Sequence, residues 1–170
     1  MRLFNCFILS ILIFSCYGDT EEFPKVDLKK LQENLLEANK KAVAVESEQI
    51  QKYIKNKKLD VIKTETGLCY QIYNDSNGVL ISNKQKAVVK YTVKLLDDTA
   101  CYSTKDEVEE FTVGKDYVES GLHEGIQYMS VGDKAIIIIP SYLAHGLAGD
   151  FKKIPFRSTI VYDIELVAIK

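Results

Sequence analysis

Histidines and cysteines are the side chains best placed for metal or nucleophilic chemistry, and this chain has two histidines and four cysteines. Their spacing argues against both chemistries. His123 and His145 lie too far apart for the i, i+4 pair that holds zinc on a helix, and no histidine-rich tail accompanies them. His123, at a helical position beside Glu124, reads as a solvated surface residue, whereas His145 sits in the loop-like Leu143-Ala144-His145-Gly146 and is the more interesting of the two. Cys69 and Cys101 either pair or remain as two buried thiols, and neither has metal-ligand spacing. No Gly-x-Ser-x-Gly elbow and no phosphate-cradling glycine loop is present, so hydrolase and nucleotide-binding chemistry find no support. No metal and no cofactor are expected.

The elements that position these residues follow from composition and periodicity. A chain of 170 residues with 46% apolar residues and a net charge of -2 buries one ordinary core, which suits one domain plus an appendage. Acidic and basic residues are interspersed with no basic stripe to neutralise phosphates, which excludes a nucleic-acid partner. From Asp27, a candidate cap, Leu28, Leu31, Leu35, Ala38, Ala42 and Val45 recur at steps of three and four. The stripe continues through Ile50, Tyr53 and Ile54 to the basic run 55–58, and this spacing predicts a long amphipathic helix. Its apolar face must bury itself against the rest of the chain, a second copy, or another protein; the a/d-like spacing makes a homodimer possible. From Thr66 onward, segments 68–72, 87–93, 110–113, 135–139 and 159–166 read as strands punctuated by glycines. Val118, Leu122, Ile126 and Met129 place one short helix between the third and fourth of them. The all-apolar run 136–139 suits a central strand covered on both faces.

The amino terminus has a different character. Met1-Arg2 gives a positive start, residues 3–14 are almost wholly apolar, and Ser15-Cys16 follows. This resembles a bacterial lipoprotein signal peptide, and the run is too short for a comfortable membrane span. The resemblance implies that residues 1–15 are removed and that Cys16 carries the lipid anchor. Residues 16–26, polar and containing Pro24, then form a flexible tether. Asp19, Glu21 and Glu22 are similar to the acidic export signals of some Bacteroidetes surface lipoproteins. The expected location is the bacterial cell envelope, outside the cytoplasm.

Gly125-Ile126-Gln127-Tyr128-Met129-Ser130-Val131-Gly132-Asp133-Lys134-Ala135 runs into the apolar strand and stops at Pro140. Upstream lies Val89-Lys90-Tyr91-Thr92; downstream lie Leu143-Ala144-His145-Gly146, Lys153-Ile154-Pro155 and Tyr162-Asp163-Ile164-Glu165-Leu166. In order and spacing these resemble the FKBP-type peptidyl-prolyl isomerases. The resemblance implies an α+β fold, a bent antiparallel sheet wrapped around one short helix, occupying 59–170 and preceded here by the helical segment 27–58. It also implies noncovalent cis-trans isomerisation of prolyl bonds in unfolded or exported polypeptides, without a cofactor. The alternative is a catalytically weak chaperone or interaction module of an envelope secretion or motility assembly.

Within the resemblance, Tyr91, Val118, Ile154 and Tyr162 match pocket walls, and the backbone N–H of Glu119 is the family's donor to bound substrate. Leu122 stands where the pocket floor is usually tryptophan. His145 stands where a tyrosine hydroxyl usually donates to the ligand. The family's adjacent Phe-Asp pair is Cys101-Tyr102 here, which removes one aromatic wall and one carboxylate. Tyr102 at that position is similar to FKBP-like lipoproteins of the Bacteroidetes, gliding-motility-associated members included, and its phenol is expected to refill part of the lost wall.

Overall fold

The computed structural model describes residues 27–170; the expected signal peptide, Cys16 and the tether lie outside the described residues. Helix α1 spans Leu28–Lys57. Asp27 caps it, its Oδ1 accepting the Lys29 and Lys30 amides at 3.1 and 3.2 Å. It ends at Lys58, whose φ of 55° turns the chain and whose N–H reaches the carbonyls of Ile54 and Lys55.

The domain covers the predicted apolar stripe of α1 only in its second half, and there Glu46 takes the place expected for Val45. Leu28, Leu31, Leu35 and Val45 are exposed, Leu35 at 56% and Val45 at 53%. The docked face runs through Ala42, Ile50, Tyr53 and Ile54 of that stripe, together with Glu46. The reason is polar: Glu46, one residue past the expected Val45, is buried and finds three donors in the domain. Its Oε1 accepts the Ser141 amide at 2.7 Å and the Thr159 hydroxyl at 2.6 Å, and its Oε2 accepts the Ser141 hydroxyl at 2.9 Å. Beside it, Ile50 packs with Cys69, Ile138 and Val161. Only the second half of the helix is therefore covered by the domain.

The remainder is one seven-stranded sheet of β1 (Ile62–Lys63), β2 (Cys69–Asn74), β3 (Lys86–Leu95), β4 (Ala100–Ser103), β5 (Glu109–Thr112), β6 (Lys134–Ile139) and β7 (Ile160–Ile169), with α2 (Ser120–Ile126) between β5 and β6. The order is β1-β2-β6-β7-β3-β4, with β5 also paired to β3, and every pairing is antiparallel. The five predicted strands all occur, with ends shifted by at most three residues; β1 and β4 are additional. Register shifts between Val88 and Val89 and between Val93 and Lys94 bend β3, so that its first half pairs β5 and its second half β4.

Strand β6 is covered on both faces, as its all-apolar sequence predicts. Ala135, Ile137 and Ile139 face the main core with Leu122 and Ile126 of α2, while Ile136 and Ile138 face the cluster under α1. Helix α2 lies close because Gly121 and Gly125 present no side chain to Ile139 and Ile137. Cys69 belongs to the α1 side and Cys101 to the α2 side; both are buried and free.

Candidate functional site

A cleft of about 770 Å³ opens between the sheet, the start of α2 and the loop that joins β6 to β7. Its deepest wall is a row across three strands. Register pairs Val93 of β3 with Tyr162 of β7 on one side and with Tyr102 of β4 on the other. Tyr91, two residues before Val93, meets Tyr162 edge to face, with ring centroids 5.3 Å apart. Val118, Glu119 and Leu122 enter from the start of α2, and Ala144, His145 and Asp150 from the loop.

The cleft thus brings together Tyr91, Tyr102, Val118, Glu119, Leu122, His145 and Tyr162. Ile154 does not line it: the side chain is buried in the core behind, and its amide serves the loop by donating to Asp150 Oδ1 at 2.8 Å. Leu122 is buried at the floor. The Glu119 N–H points from the residue capping α2 and meets no acceptor among the described residues.

Charge is distributed in a way that the apolar motif does not announce. Every tyrosine hydroxyl of the wall rests on a carboxylate. Tyr91 donates to Glu109 at 2.7 Å, Tyr162 to Glu119 at 3.1 Å, and Tyr102 to Asp150. Burial, together with the facing carboxylates, raises the Tyr91 and Tyr162 phenols far above their ordinary range. Glu119 Oε1 also lies 2.9 Å from His145 Nε2, so one carboxylate touches both β7 and the loop.

Asp150 organises the loop. Its Oδ1 accepts the amides of Lys152, Lys153 and Ile154, its Oδ2 accepts the Tyr102 hydroxyl, and the Lys153 ammonium lies 5.1 Å from the Tyr102 ring centre. Burial alone would raise the Asp150 carboxyl, but the Tyr102 hydroxyl and these amides hold it down at about 2, from an ordinary 3.8. A lowered folded-state pKa means that the stabilisation is full above the unfolded value and fades as pH falls through the folded one. The melting-temperature gap between the native chain and Asp150→Asn is therefore expected to stay constant above about pH 5 and to close between about pH 4 and pH 2. A gap that instead persists at pH 2 would mean that Asp150 acts through something other than its charge.

Tyr102 lines the cleft, with its phenol tied to Asp150 rather than free. His123 is corrected: it is half-buried, not a solvated surface residue. Its Nδ1 accepts the Gly114 amide at 2.9 Å, its Nε2 lies 3.0 Å from the Asp116 carbonyl, and its ring meets Phe111 edge to face. It pins the turn before α2 and takes no part in the cleft. Glu109, Phe111 and Asp150 line the cleft without having been singled out from sequence. Strand alternation from the buried Phe111 places Glu109 on the same face, a signal that was there to use. Asp150 gave none beyond its place after Gly149.

A family model described as FKBP-type peptidyl-prolyl cis-trans isomerase matches residues 79–167. The chain is 33% identical over 157 residues to the FKBP-type 22 kDa peptidyl-prolyl cis-trans isomerase of Escherichia coli, covering 86% of this chain and 75% of that protein. It is 38% identical over 90 residues to the peptidyl-prolyl cis-trans isomerase Fkbp12 of Drosophila melanogaster, covering 52% of this chain and 83% of that one. Among solved structures, FkpA from Escherichia coli superposes with a TM-score of 0.66 at 28% identity, over 86% of this chain and 74% of that one. The matched region contains the strands, the short helix and the loop that build the cleft, and the chain belongs to the FKBP-type peptidyl-prolyl cis-trans isomerase family.

Proposed function

We propose that this isomerase turns prolyl bonds of unfolded or exported polypeptides in the cleft between Tyr91, Tyr102, Val118, Glu119, Leu122, His145 and Tyr162, with Ile154 supporting the loop from behind. The observation that carries the reading is the convergence of these side chains on one cleft beside the unused Glu119 N–H. Twisting a prolyl amide costs about 20 kcal/mol because resonance is lost, and neither a nucleophile nor a proton transfer is needed. A cleft that excludes water favours the less conjugated twisted amide, and a fixed N–H stabilises its carbonyl.

The enzyme works at the cell envelope, held by lipid on Cys16, like the Bacteroidetes lipoproteins it resembles at Tyr102 and in its leader. Residues 59–170 form the catalytic domain. The exposed leucines of the first half of α1 favour a homodimer through this segment of 27–58, since a helix with an uncovered apolar face gains by pairing. The same exposed leucines favour the second reading, a chaperone or assembly module that binds through α1 and turns over weakly.

The test is protease-free isomerisation of Xaa-Pro peptides by a soluble form beginning after Cys16, beside His145→Ala. Turnover that falls about tenfold in the variant, the loss of one hydrogen bond in a dry site, supports the reading. No turnover with any residue before proline, together with suppressed aggregation of an unfolded protein, moves it to the chaperone.

A further inference from the structure

Glu46 does not line the cleft, yet its three hydrogen bonds fall on both ends of the loop that supplies His145 and Asp150 to it. Ser141 opens that loop just after β6, and Thr159 closes it just before β7. Oε1 bridges the two ends by accepting the Ser141 amide and the Thr159 hydroxyl together, and Oε2 takes the Ser141 hydroxyl. Glu46, Ser141 and Thr159 are all buried, where a lost partner is costly.

The tie continues inward along the backbone. Held at its amide and its hydroxyl, Ser141 has a fixed orientation, and so has its carbonyl. That carbonyl accepts the amides of Ala144 and Gly146, at 3.1 and 2.7 Å, the two residues that flank His145. Gly146 then reaches the other end of the loop, its carbonyl accepting the Arg157 amide at 2.8 Å. Arg157 Nη2 returns to α1 by donating to Asn39 Oδ1 at 2.9 Å.

We propose that Glu46 is a positioning residue for the isomerase reaction: from helix α1 it sets the Ser141 carbonyl that holds the backbone on either side of His145, so that the seating of α1 and the geometry of the cleft form one coupled equilibrium. The inference rests on the reading of this cleft as the isomerase site. Such coupling is reciprocal, so an occupied cleft favours the seated helix. Ile50 separates this role from simple docking. One turn farther along α1, it packs on Cys69, Ile138 and Val161 of the strands, and truncating it loosens the helix without removing a hydrogen-bond partner from the loop.

The experiment compares protease-free Xaa-Pro isomerisation by the full chain with that of Glu46→Ala, Glu46→Gln and Ile50→Ala, at about 10 °C, near the temperature of greatest stability, with folding verified by circular dichroism. Glu46→Ala is expected to lose about tenfold in kcat with KM within about twofold, because the loop still binds substrate but aims its groups poorly. Glu46→Gln, which keeps an acceptor for the Ser141 amide, is expected to recover most of that loss, and Ile50→Ala to turn over at the native rate. A native kcat in Glu46→Ala, or an equal loss of kcat in Ile50→Ala, overturns the proposal. A second measurement needs no variant to fold: saturating Xaa-Pro peptide is expected to slow amide hydrogen exchange around Glu46 and Ile50 of the native chain about twofold, and unchanged exchange there also overturns it. If His145→Ala turns over like the native chain, the cleft assignment itself fails; if His145→Ala loses turnover and Glu46→Ala does not, only this inference does.

Discussion

Replacing Glu46 with alanine is expected to cost about 3 kcal/mol of folding stability, because it strands the amide and hydroxyl of Ser141 and the hydroxyl of Thr159 in a buried seam. The two hydroxyls can rotate toward other acceptors; the Ser141 amide cannot. In a domain of this size such a loss lowers the melting temperature by about 10 °C. The same change should free the second half of α1, so amides around Ile50 are expected to exchange faster than those of β6. Glu46→Gln, which keeps one acceptor oxygen, should lose about half as much. Thermal unfolding of the three proteins tests this, and a loss below about 0.5 kcal/mol in the alanine variant would mean that the seam is held by Ile50 and its apolar neighbours alone.

Gly121→Val is expected to lower kcat/KM about 100-fold while leaving a folded protein. A β-carbon at Gly121 overlaps the Cγ2 of Ile139 and comes within 3.2 Å of the Leu143 carbonyl oxygen. Ile139 is fully buried, so the strain is relieved by moving α2. That movement carries Val118, Glu119 and Leu122 with it, and displacing a site by about 1 Å is enough for a loss of this size. Overpacking should also cost about 1–3 kcal/mol in denaturant unfolding. Gly125 is the control: a β-carbon there meets Ile137 at 2.8 and 2.9 Å, on the same face of α2 but one turn farther from Val118 and Glu119. Gly125→Ala should therefore lose stability with a smaller effect on turnover. Turnover within twofold of native in Gly121→Val would show that the cleft tolerates a shifted helix.

These contacts also show why some of the molecule was legible beforehand and some was not. Strand β6 could be read because four isoleucines in a row have no helical stripe and need cover on both sides, and Pro140 ends them. The short helix could be read from Val118, Leu122 and Ile126. Strand β1 has two residues and β4 four, too short for alternation to rise above its surroundings. Apolar spacing finds most of the docked face of α1, Ala42, Ile50, Tyr53 and Ile54, but not the glutamate at its centre. Only a structure reveals donors waiting for that carboxylate. The aromatic members of the cleft came from motif matches, and their hydroxyls did not. Glu109, Asp150 and the side chain of Glu119 are invisible to a pattern concerned with apolar walls, yet they set where each phenol and the imidazole point.

The uncovered front of α1 sets a direction as well as a distance. Residues 28–41 rise about 20 Å along the helix axis before the domain begins to cover it. A slack linker of that reach would only limit how far the cleft wanders. A helical shaft transmits rotation, so whatever grips the exposed front of α1 aims the mouth of the cleft, and a polypeptide would meet it from a constant bearing. Inserting one residue into the exposed part of the shaft would swing that bearing by roughly 100° while changing the reach by only about 1.5 Å.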